Sequence, residues 1–156
     1  MKRFLAVLCC LTLILAVALP AAAADPAEGN VLYEHREDLG DGIVLVERVV
    51  ELPGLSRASG SRTASKTRSY YSFNTLIAEI TITATFSYTG SKVTVTSKSV
   101  DSTATYNGWA FHQSSILTTG GGSTGSVTLK GSLKKGSLTP ITVELVLSCD
   151  ANGNIS

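Results

Sequence analysis

The chain is 156 residues long, with 13 basic and 12 acidic side chains and a formal net charge of +1. That balance excludes a strongly basic nucleic-acid binder, which needs a clustered positive face. Three cysteines among 156 residues also exclude a small disulfide-stapled scaffold.

The N-terminus comes first and carries the clearest signal. Met1-Lys2-Arg3 is a positive start, Phe4 to Leu19 has no charge, Pro20 breaks the run, and Ala22-x-Ala24 supplies small residues for cleavage. Positive, apolar, small is the order of a secretory signal peptide, so 1–24 is expected to be removed and Asp25 to begin the mature chain. The 16 apolar residues are short for a bilayer span of roughly 20. Cys9 and Cys10 lie inside the run rather than at the cleavage point, so a lipidated cysteine is not expected. The mature protein is therefore expected outside the cell, with no membrane segment. Its length of 132 residues suits one domain with a real core. Cys149 is then its lone cysteine, so no internal disulfide can form, and its place on an apolar strand face reads as a buried thiol.

Charge divides the remainder into three zones. Residues 25–53 carry eight acids against Arg36 and Arg48. They predict an acidic N-terminal hairpin, with Val31 to Arg36 and Ile43 to Leu52 flanking a turn at Asp41-Gly42. Residues 54–68 carry Arg57, Arg62, Lys66 and Arg68 and no acid. Rich in Ser and Gly and without an apolar period, they read as a basic linker or loop whose cations could rest on the acidic zone. The alternative is a cleavable pro-segment junction.

Residues 69–156 are expected to form the sandwich core. Leu76, Ala78, Ile80, Ile82, Ala84, Phe86 and Tyr88 alternate with a Thr-rich set, the period-two mark of a strand with one buried face. Thr89-Gly90-Ser91 turns the chain, and Val93 and Val95 begin another strand. Tyr106, Trp109 and Phe111 mark a third, interrupted at Asn107-Gly108. A glycine-rich loop at 118–126 leads to Val127, Leu129, Gly131 and Leu133. After a turn, Ile141, Val143, Leu145, Leu147 and Cys149 make the last apolar face. Short strands, frequent turns and no long amphipathic helix predict an all-β, immunoglobulin-like antiparallel β-sandwich, with a partly open β-barrel as the alternative.

From residue 31 onward the chain resembles a group of small secreted β-rich proteins of Gram-positive bacteria. The resemblance rests on "TASKT" (63–67), "ATFSYTGSKVTVTS" (84–97), the lone Trp109 and "LSCDANGNIS" (147–156). It implies no catalytic residue. Relatives of this kind often carry a second cysteine about where Val95 stands. That implies Val95 and Cys149 facing each other across the sandwich, with Trp109 between them as in the pin of immunoglobulin domains.

Several short motifs spell chemistry and are better read as structure. Gly121-x-Ser123-x-Gly125 matches a hydrolase elbow, but strand-like alternation follows it where the elbow needs a helix. Ser132-x-x-Lys135 lacks the helix and partner motifs of serine–lysine acylases. Ser114, His112 and Asp101 are a triple that any Ser-rich chain offers. His35, His112 and Cys149 have no zinc spacing. Asp150-x-Asn152-x-Asn154 starts like a calcium loop but lacks the later glycine and acid. The sequence thus nominates no catalytic, cofactor-binding or metal-ligating residue. Tyr70, Tyr71, Phe73, Tyr106, Trp109 and Phe111 could form a sugar- or peptide-binding platform, with Trp109 and Phe111 expected in the core. No wall-sorting pattern ends the chain, so free secretion is expected. The functional expectation is a secreted non-enzymatic interaction module with an unknown protein or glycan partner. The alternative is a bacteriocin-like or toxin-like effector, matured by cleavage so that it begins near Ser69.

Overall fold

A computed structural model describes residues 29–53, 60–104 and 106–156. The expected signal peptide, 1–24, and residues 54–59 of the expected linker lie outside the described residues.

Eight strands follow in order: β1 (Asn30–Gly40), β2 (Ile43–Leu52), β3 (Ser61–Ser72), β4 (Thr75–Tyr88), β5 (Val93–Thr103), β6 (Trp109–Thr119), β7 (Thr124–Lys135) and β8 (Ile141–Asp150). A 3-10 turn at Tyr106–Gly108 separates β5 from β6. The strands form two antiparallel sheets, β1-β2-β3-β4-β5 and β6-β7-β8, in a β-sandwich. Each sheet is a meander in chain order, without the Greek-key connections of immunoglobulin domains.

The core is the set of side chains that alternate inward. On β4 these are Ala78, Ile80, Ile82, Ala84 and Phe86; on β7 and β8 they are Val127, Leu129, Leu133, Val143, Leu145, Leu147 and Cys149. Across β3, β4 and β5 the alternation slips at two places. Tyr70 pairs with Ala78 and Tyr71 with Leu76, which leaves Ile77 as an extra residue, buried, while Leu76 turns to solvent. Thr96 is the extra residue on β5, so Val93 and Val95 face inward before it and Val100 after it. A bulge inserts one residue and flips the face, which a strict period of two cannot register.

The expected linker is corrected in its second half. Residues 61–68 are strand, in a β3 paired on both sides. Their side chains alternate by face. Arg62, Ala64, Lys66 and Arg68 point inward, while Thr63, Ser65, Thr67 and Ser69 point outward, in register with outward Thr81, Thr83 and Thr85 of β4. Hydroxyls bridge the outer face at Thr63–Thr85 and Thr67–Thr81, each 2.9 Å. Inside, Glu47 of β2 receives Lys66 at 3.1 Å and Arg68 at 2.7 Å, and Glu51 meets Arg62 at 3.4 Å. The basic zone does rest on the acidic zone, as neighbouring strands rather than as a loop. The acidic hairpin and the core are thus parts of one sheet.

The immunoglobulin-style pin is not built. Trp109 opposes Lys135 at one end of β7, and Cys149 opposes Gly125 near the other, ten residues away. At 3.3–3.4 Å per residue that is roughly 33 Å. Val95 sits on β5, which packs across the sandwich on β6 and β7, whereas β8 packs on β3 and β4. Cys149 is a buried free thiol, raised in pKa chiefly by that burial.

Candidate functional site

The two sheets differ in width, and the difference makes a cleft. The three-stranded sheet covers β3, β4 and β5. β1 and β2 overhang it, so the inward side chains of β2 pass from core to solvent: Leu45 and Val49 are buried, Ile43 half-buried.

Under the overhang, at the end of the sandwich that carries the β1–β2, β3–β4 and β7–β8 turns, lies a cleft of about 630 Å³. Trp109, Ile43 and Ile141 line it, and Leu39, Leu138 and Pro140 stand at its edge. Trp109 is only 8% exposed, and the Lys135 ammonium sits 5.9 Å from its ring centroid. Lys135 and Asp41 supply the charges, and Ser72 and Thr139 the hydroxyls, of a mainly apolar lining.

The rim is built by two tight turns side by side. Gly40 pairs with Ile43 around Asp41-Gly42, whose φ values are 52° and 72°. Both positive angles fit a two-residue hairpin turn whose twist matches the strands. Ser72 pairs with Thr75 around Phe73-Asn74, with φ of 45° and 66°. Asn tolerates that region; an aromatic residue rarely does. Phe73 donates its N–H to the Gly42 carbonyl at 3.1 Å and lays its ring against Gly42, where an added Cβ would lie 2.8 Å from the ring. The ring remains 83% exposed. Tyr106 and Leu138, also exposed, complete an apolar border at this end.

The residues nominated by motif are not brought together. Ser123 lies in the β6–β7 hairpin loop, and Gly125 is already the second residue of strand β7, where an elbow would need a helix. Ser132 and Lys135 are three apart on one strand and so face opposite sides. His112 points outward from the three-stranded sheet and Asp101 outward from the five-stranded one, with the sandwich between them. Ser114 is the extra residue of a β6 bulge. Among the described residues no group of three or more His, Cys, Asp or Glu side chains could hold a metal ion. The Asp150 carboxylate accepts from the Asn152 and Asn154 backbone N–H groups and the Asn154 side-chain amide. It ties a turn that leads Ile155 and Ser156 back along β8, and those hydrogen bonds lower its pKa.

Of the aromatic set, Tyr70, Trp109 and Phe111 pack in or against the core, and Tyr71 is half-buried on the outer face. Phe73 was visible in the sequence as an aromatic but not as a turn residue, because Phe carries no turn signal. The motif that could have marked it was the following Asn74. No protein family, curated protein or solved structure matches the chain.

Proposed function

We propose that this is a secreted, non-enzymatic interaction module that receives an apolar side chain of a partner protein in the Trp109 cleft. Phe73 carries the reading. Holding a bulky residue in the left-handed region costs about 1–3 kcal/mol, and such strain is concentrated at functional sites. Here it presents a ring to solvent beside a cleft already lined with apolar groups. Exposed loop clusters at the end of a β-sandwich are a common place for recognition.

The effector reading finds less support. A mature start near Ser69 would cut inside β3 and remove β1 and β2 altogether, taking with them Leu45, Val49 and Ala64 from the core.

Two measurements test the proposal. Mass spectrometry of culture supernatant should find a chain beginning at Asp25; a protein retained in the cytosol would refute secretion. A random peptide library panned on the protein should enrich segments with an aromatic or aliphatic anchor, and binding should shift Trp109 fluorescence. Phe73→Asn and Leu138→Ser should each weaken the selected peptides about tenfold, as expected for losing an apolar contact of roughly 1.4 kcal/mol. Because Asn suits the left-handed turn, Phe73→Asn should leave stability unchanged or raise it by up to about 1 kcal/mol. Peptides that bind both variants as well as the parent would refute the assignment of the cleft.

A further inference from the structure

Among the described residues no strand lies beside the outer edge of β1, and all eleven residues of β1 are exposed. Val31, Leu32, Tyr33 and Leu39 are among the large apolar side chains left in solvent. A long, open edge is a template for another strand, and proteins normally cover it or blunt it with charge and bulges. β1 has bulges at Leu32 and Leu39, which leave a regular stretch between them.

The charges within that stretch are arranged to match themselves. The order is Tyr33-Glu34-His35-Arg36-Glu37. When this segment pairs antiparallel with an identical one, centred on His35, Glu34 faces the second copy's Arg36 and Arg36 faces its Glu34. Tyr33 faces Glu37 on both sides of the axis. Opposite charges directly across an antiparallel pair stabilise it, and like charges destabilise it. The neighbouring registers that keep inward side chains inward are centred on Glu34 or on Arg36. Each puts two like charges on the axis. Within one chain Glu34 is held only loosely, with its carboxylate 3.6 Å from Arg48 and both side chains more than half exposed. Arg36 has no ion pair among the described residues.

The geometry points to a second copy of this chain as the occupant of the β1 edge, in a two-fold dimer that joins two five-stranded sheets into one of ten strands. The interface is isologous and therefore closes on itself. The two-fold axis stands perpendicular to the joined sheet, so both three-stranded sheets lie on the same side of it. Between them the exposed inner faces of β1 from both copies form a trough. Tyr33 and His35, whose rings stack at 6.3 Å between centroids, stand at its centre.

Sedimentation velocity on the mature secreted chain tests this, with circular dichroism to confirm that each variant is folded. The wild type should dimerise in a concentration-dependent way. Glu34→Arg and Arg36→Glu should each weaken the dimer about tenfold, because each turns two attractive pairs into two repulsive ones. The double variant should restore it. An equimolar mixture of the two single variants should form a heterodimer tighter than either variant's own dimer. A wild type that stays monomeric up to about 1 mM would overturn the proposal. So would a dimer that Glu34→Arg leaves intact, or single variants that fail to rescue each other while folded.

Discussion

Glu47 shows how one side chain can join two zones of opposite charge. Burial by itself would raise its carboxyl pKa, but the hydrogen bonds and charges of Arg68 and Lys66 outweigh that and hold it below its ordinary value of 4.5. Its side chain is 14% exposed, so the pair is not a freely solvated surface contact. A carboxylate whose folded pKa is depressed contributes stability that is fully present above its unfolded value and is lost as pH falls through the folded one. Glu47→Gln should therefore cost about 1.5–3 kcal/mol at pH 7, the range for hydrogen bonds to charged groups. The difference from wild type should begin to shrink as pH falls below about 4.5 and should close only below the depressed folded value, where the native carboxyl is itself protonated. Urea denaturation at pH 7 and pH 3 checks both parts; a gap that stays constant would show that the cations, not the carboxylate's charge, set the cost. Phe73 is the opposite case, since its strained backbone and exposed ring contribute little to folding, and its effect is expected in binding.

At the scale of the element, β3 is where sequence and structure part. Its composition is that of a linker, yet its order is strictly two-periodic: basic or Ala at 62, 64, 66 and 68, hydroxyl at 63, 65, 67 and 69. Hydrophobic periodicity misses this pattern because neither face is conventionally apolar. The inner face is satisfied by carboxylates of β2 and the outer face by threonines of β4, so the strand is stable only with both neighbours present. A fragment starting at Ser69 should accordingly lose cooperative unfolding and bind a hydrophobic dye, since it leaves the inner face of β4 without its sheet neighbour. A sharp thermal transition in that fragment would show that the first three strands are dispensable. The apolar faces that alternate cleanly, those of β7, β8 and of β4 from Ala78 onward, were legible from sequence nearly to the residue. The bulges at Ile77 and Thr96 were not, because an extra residue has no signature of its own until it is paired.

The whole molecule is held by the sheet-to-sheet contact, where burial of apolar area contributes about 25 cal/mol per Å². Leu145 sits centrally on β8 with no exposure. Leu145→Ala should cost about 2–5 kcal/mol, whereas Val146→Ala, one position along and facing solvent, should cost about 0.5 kcal/mol or less. Comparable losses in chemical denaturation would contradict the alternation. Sequence by itself determined the class of fold, the inward faces of the later strands and the attraction between the acidic and basic zones, because period and charge are local properties of the chain. Only the tertiary structure decided that the second sheet is two strands narrower than the first. That mismatch leaves β1 uncovered among the described residues and sets the Phe73 turn beside the Trp109 cleft, and it arises from which strands meet across space, a relation no segment carries alone.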